Sequence, residues 1–195
     1  MSEPSTAQQG IATALKEQLL LVSSLVLFAG IVTTDTYYSA FGLRYQFLDI
    51  APEHLLYRGV RALTDSIALA IAYFVAIFWL AGGASASKRL LGRWQDWVEL
   101  ITYLVLVGLA TTAYFAAIGE GRLQAERDIS IATTTLPTVE EIKGEKDVEL
   151  PFVGYRVLLA GKDMIAMFKP TANATEVPFV HILKRDDVHE LVLAR

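Results

Sequence analysis

The chain has 195 residues, 53% hydrophobic and 19% charged, with a formal net charge of −4 and a positive mean hydropathy; a soluble domain of this size carries about 25% charged residues. Cysteine is absent, which excludes disulfides, thiolate zinc sites, cysteine-ligated iron–sulfur clusters and cysteine nucleophiles. The acidic balance gives no electrostatic reason to expect nucleic acid as a partner.

Charge is unevenly spread. Residues 1–118 hold 7 basic and 8 acidic side chains, whereas residues 119–195 hold 10 and 13, so a domain boundary is expected near Gly119. Three apolar runs fall in the first part. They predict membrane spans at about 19–38, 62–83 and 98–118, each near the roughly 20 helical residues that a bilayer core requires.

The segment after the first run, "TTDTYYSAFGLRYQFLD", reads as a chain leaving the lipid. Tyr37, Tyr38, Phe41, Tyr45 and Phe47 are amphipathic or aromatic rings suited to the headgroup layer. Gly42 offers a helix stop. Pro52 suits the first turn of a new helix, with Glu53 at its positive dipole end. From there Leu55, Leu56, Val60 and Leu63 form one stripe and His54, Arg58, Arg61 and Asp65 the other, which predicts an interfacial amphipathic helix over 52–65. Asp35 and Asp65 stand near the hydrocarbon edge, where charge is paired or functional; Arg58 and Arg61 are the expected partners.

After the second run, Lys88, Arg89, Arg93, Trp94 and Trp97 give a basic, indole-rich interface of the kind found on the cytoplasmic side. Basic residues on the two faces nearly balance, and the clustering of this group favours a carboxyl-terminal domain outside. The third run carries Gly108, Ala113, Ala117 and Gly121, small residues at helical spacing that permit close packing in lipid. They are the expected helix-packing or self-association face.

Beyond it the chain turns polar. Residues 119–149 are expected as a linker, with "PTVEEIKGEKDVELP" read as loop. Residues 150–195 are expected as a small β domain with strands near 155–160, 163–168, 176–183 and 189–194. Gly161–Lys162 falls at a hairpin turn and "KRDDV" at a one-turn helical connection. Val157, Leu159, Ile165, Met167, Val180, Ile182, Leu191 and Leu193 are expected to face inward. This order resembles SH3- and Sm-like barrels. His181 and His189 read as strand-surface histidines, since no metal-ligand spacing surrounds them. No nucleophile–base pair, phosphate loop or dinucleotide fingerprint occurs, so no catalytic, cofactor or metal residue is assigned and an enzyme is not expected.

The fold class expected is an α-helical membrane domain of three transmembrane helices plus a small carboxyl-terminal β domain. The function expected is that of an integral membrane anchoring, sensing or assembly subunit in contact with lipid, forming a homo-oligomer or joining a partner subunit. Two alternatives stand beside it. Three spans and a β domain resemble the architecture of small mechanosensitive channels, which implies an oligomeric pore; residues 119–149 and the absence of a Pro-Asn motif depart from that pattern. The Tyr37–Tyr38…Phe41–Gly42 segment resembles small bacterial inner-membrane proteins, including membrane subunits of antiviral defence systems, which implies a multi-pass inner-membrane location.

Overall fold

The computed structural model describes residues 6–48, 50–65, 67–79, 95–144, 151–172 and 177–194. Among the described residues four α-helices come first: α1 (Thr6–Ser39), α2 (Pro52–Thr64), α3 (Ile67–Phe78) and α4 (Gln95–Ile129). Five strands follow: β1 (Thr138–Gly144), β2 (Arg156–Ala160), β3 (Met164–Phe168), β4 (Val180–Lys184) and β5 (Val188–Ala194). The chain divides into a helical unit, residues 1–33 with 53–118, and a sheet unit, residues 34–52 with 119–195.

Two helices are long and apolar enough to cross a membrane, through Leu19–Ser39 of α1 and Trp97–Ile129 of α4. Only 22% and 17% of their most apolar windows are buried. A soluble helix turns its apolar stripe inward; here Tyr103, Leu104, Val107 and Phe115 are 62% to 67% exposed. Threonine is accommodated by hydrogen bonding to its own helix. Thr33, Thr64, Thr102, Thr111 and Thr112 each donate to the carbonyl four residues back, at 2.7 to 2.9 Å, so their hydroxyls need no external partner.

The second expected span, 62–83, is described only in part. The chain bends at Asp65, where α2 has ended at Thr64, and α3 starts at Ile67. The described part of α3, 12 residues, rises about 18 Å at 1.5 Å per residue. Residues 80–94 lie outside the described part, so two candidate spans stand where three were expected.

The helical unit packs through small residues. Ala29, Ala62, Ala113 and Ala117 are at most 2% exposed and cluster with Leu63, Tyr73 and Leu109. The closest approach is between Gly30 and Gly59, where an added Cβ on either residue would overlap a carbonyl of the facing helix, Leu55 or Val26. Helix α2 begins at Pro52 with Glu53 in its first turn. Its inward stripe is Gly59, Ala62 and Leu63. Leu56 and Val60 of the expected apolar stripe are 40% and 48% exposed.

In the sheet unit α1 stops by a glycine cap. Gly42 adopts φ 73°, Gly42 N–H donates to Ser39 and Leu43 N–H to Tyr38, both at 3.0 Å, which is the paired bonding of a Schellman motif. The strands pair antiparallel in the order β4-β3-β2-β1-β5. A 3₁₀ turn, Arg185–Asp187, joins β4 to β5. The edges β4 and β5 do not meet, so the sheet is open and the barrel closure expected from the strand order is not observed.

Both faces of this sheet are covered. One carries Val139, Ile142, Val157, Ile165, Met167 and Val188. The other carries Leu158, Ala166 and Phe168, packed with Tyr37, Tyr38, Phe41 and Leu48 and with Ala125 and Ile129 of α4. β3 is therefore buried on both sides: Ile165, Ala166, Met167 and Phe168 are 0% exposed.

Two expectations change here. The 119–149 linker contains the end of α4 and strand β1. The inward set also splits, because a bulge between Val157 and Leu159 breaks the two-residue alternation. Val157, Ile165, Met167 and Leu191 belong to one face, Leu159 and Val180 to the other, and Ile182 and Leu193 are 55% and 41% exposed.

Candidate functional site

The aromatic segment expected at a membrane interface forms a core instead. Tyr37, Tyr38 and Phe41 are 3%, 4% and 2% exposed. Tyr37 meets Tyr38 edge-on at 5.0 Å and Phe41 at 5.3 Å, and Phe41 packs on Phe168 of β3 at 4.9 Å, within the range where aromatic pairs add to plain burial. The Tyr37 hydroxyl donates to Asp128 Oδ2 of α4 at 2.8 Å. The reason is geometric: Gly42 turns the chain so that rings from the last turn of α1 lie under the sheet. No periodicity in the local sequence distinguishes this from an exposed aromatic belt.

Asp35, Arg61 and Asp65 are exposed and Arg58 is half-buried. Asp35 belongs to the sheet unit and Arg58, Arg61 and Asp65 to the helical unit. Trp97 is 57% exposed, and Arg89, Arg93 and Trp94 lie outside the described residues. In the small-residue set, Ala113 and Ala117 are fully buried inside the helical unit, whereas Gly108 is exposed with open space around it. Gly121 is buried in the sheet unit. The face proposed for self-association is thus largely occupied within the chain.

Sequence reading missed an open apolar surface at the β4 side of the sheet. Phe152, Tyr155 and His181 form an aromatic triangle with centroid separations of 5.3, 5.3 and 5.4 Å. Beside it lies a cavity of about 450 Å³ lined by residues that include Tyr155, Lys169, Thr171, Phe179 and His181. Phe179 is 90% exposed, Val177 70% and Ile182 55%. The signal in the sequence was "VPFVHI", apolar at consecutive positions where a surface edge strand alternates.

At the opposite edge, Lys143 of β1 bonds Glu190 of β5 at 2.7 Å and Glu141 at 3.1 Å. The Glu190 hydrogen bond, then that of Glu141, raises the lysine above its ordinary value, and Lys143 in turn holds Glu190 below the usual carboxylate range. A second cavity, about 220 Å³, lies in the helical unit between residues including Val22, Val26, Leu63 and Ile77. Tyr73 lines it, and its buried hydroxyl has no hydrogen-bond partner among the described residues. Among the described residues no group of His, Asp or Glu is arranged to hold a metal.

Compared with known proteins, the chain matches no family model, no curated protein and no solved structure.

Proposed function

We propose that the protein is a membrane-anchored, non-enzymatic assembly subunit whose sheet unit binds a partner. The observation that carries this reading is the footing of the sheet. Its inner face is built on the ends of the two helices long and apolar enough to cross a membrane, through Phe41 against Phe168 and through Tyr37 bonded to Asp128. The exposed Phe179 and Val177 of the sheet unit supply the contact surface. The finer expectations, a third span and a multi-pass bacterial inner-membrane location, belong to this proposal. A pore gains no support from Ala113 and Ala117, which are spent on packing inside the chain.

The test is fractionation of membranes from cells producing the full chain. Retention in the pellet through alkaline carbonate and release by detergent are expected. Release by carbonate alone sinks the anchoring reading. Cross-linking from a photoreactive residue at position 179 is expected to capture a distinct partner rather than lipid.

A further inference from the structure

The cavity of about 220 Å³ in the helical unit has a chemistry that the anchoring reading does not use. Three helices wall it: Val22 and Val26 of α1, Leu63 and Thr64 of α2, and Ala70 and Tyr73 of α3. Residues three or four apart share a helix face, which brings Val22 with Val26, and Ala70 with Tyr73, to one space. Ala70 offers that space only a methyl group.

Tyr73 is 7% exposed, and its buried hydroxyl has no hydrogen-bond partner among the described residues. Burying a hydroxyl without a hydrogen bond is unfavourable. Thr64 is the other polar side chain among the described lining residues, and its hydroxyl is already committed, donating to the Val60 carbonyl at 2.8 Å. The described wall is thus aliphatic with one uncommitted donor. Water suits it poorly. A buried water makes two to four hydrogen bonds and has a liquid volume of about 30 Å³, so the several waters needed to fill this space meet mostly hydrocarbon.

We propose that the cavity binds a small, hydrocarbon-rich molecule through one carbonyl oxygen, which accepts the hydrogen bond that Tyr73 has to give. Ligand sites between helices have this composition, apolar walls with a polar group that fixes orientation. An apolar cavity of about 150 Å³ holds benzene, so by proportion this one of about 220 Å³ holds roughly nine non-hydrogen atoms. A ketone or an ester has the required acceptor. An alcohol brings a second hydrogen to satisfy against aliphatic walls, and a carbonyl brings none. The carbonyl has two sources, a free ketone or ester and the ester end of a bilayer lipid chain.

The experiment uses the full chain in detergent micelles with octan-2-one and nonane, two probes matched in non-hydrogen atoms. A ligand that binds only the folded state raises the melting temperature with concentration. The ketone is expected to do so saturably, with an apparent affinity about five- to tenfold above that of nonane, the value of one hydrogen bond to an otherwise unpartnered donor. Tyr73→Phe is expected to erase that preference, to leave nonane unchanged, and to raise the melting temperature without ligand. Comparing variants at equal probe concentration cancels partition into the micelle. Ala70→Leu is expected to fill the space and abolish both responses; Val22→Phe fills it from α1 should Ala70→Leu not fold. Native mass spectrometry separates the sources. A phospholipid that copurifies, is displaced by octan-2-one and is lost in the filled variant assigns the carbonyl to lipid, and ketone binding to a lipid-free chain assigns it to a free molecule.

No saturable response, equal affinity for ketone and alkane, or a ketone preference that survives Tyr73→Phe overturns the proposal. So does a ketone response that persists in a folded, cavity-filled variant. A lower melting temperature of ligand-free Tyr73→Phe shows the hydroxyl already bonded to water, and overturns it too.

Discussion

Gly30 of α1 and Gly59 of α2 touch backbone to backbone: a Cβ on Gly59 falls 2.9 Å from the Gly30 nitrogen, and one on Gly30 falls 3.2 Å from the Gly59 nitrogen. Backbone cannot swing aside as a side chain can. Gly30→Ala or Gly59→Ala is therefore expected to cost at least about 1–3 kcal/mol, the range for overpacking. Gly108→Ala meets open space and is expected to be neutral or to stabilise by up to about 1 kcal/mol through helix propensity. Thermal unfolding of the three variants in detergent separates the positions; equal behaviour contradicts the close crossing.

Tyr37→Phe removes only the hydroxyl that donates to Asp128. A hydrogen bond to a charged acceptor contributes about 1.5–3 kcal/mol, and the partly buried setting argues for the lower end. Asp128→Asn keeps an acceptor oxygen and is expected to cost less. Denaturation midpoints of the two variants check the order.

Phe168 and Phe179 give the sharpest contrast in the sheet unit. Phe168 is 0% exposed beneath Phe41, whereas Phe179 is 90% exposed. Phe168→Ala is expected to cost about 3–5 kcal/mol by cavity formation, and Phe179→Ala to stay within about 0.5 kcal/mol. Chemical denaturation followed by near-ultraviolet circular dichroism measures both.

The Lys143–Glu190 pair gives a pH dependence of known sign. Glu190 has a lowered folded value through its Lys143 hydrogen bond, so its contribution is present above the unfolded value of about 4.3 and is lost as pH falls through the lower folded one. Lys143 is raised, chiefly by Glu190; its contribution holds below its unfolded value and is lost only in strong alkali. Both groups are exposed, so the effect is small. Glu190→Gln is expected to lower the melting temperature slightly near neutrality, and not once pH has fallen through the lowered folded value, where the wild-type carboxylate is itself protonated.

The helical pattern was legible where periodicity and caps spoke together: Pro52 and Glu53 open α2, and Gly42 ends the run that closes α1. Strands β2 to β5 and the 3₁₀ turn also fall near their expected positions. β1 escaped detection because bulges at Val139/Glu141 and Lys143/Gly144 put its buried Val139 and Ile142 three residues apart, out of step with a two-residue period. The burial of Tyr37, Tyr38 and Phe41 escaped for another reason. It depends on Phe168 and Ile129, remote in sequence, and local composition carries no record of such partners. The same blindness hid the apolar surface at Phe179, which only the edge position of β4 explains.

One corollary concerns residues 129–195 expressed alone. That fragment leaves Leu158, Ala166 and Phe168 without the Tyr37, Tyr38, Phe41 and Leu48 cover. It is expected to bind a hydrophobic dye and to lack a near-ultraviolet dichroism signal, the marks of loose packing. Sharp, cooperative melting of the fragment contradicts the two-sided core.

The Tyr37–Asp128 bond spans 91 residues of chain, which bears on how synthesis proceeds. Contacts this distant in sequence carry a closure entropy that local helices never meet, and folds that depend on them form slowly. The ribosome delivers Tyr37, Tyr38 and Phe41 first and the strands that bury them last. During that interval the rings wait uncovered, in the kind of exposed intermediate that chaperones protect. Burial of the aromatic segment is thereby timed by completion of β3, and truncation anywhere upstream of Phe168 leaves that segment without its cover.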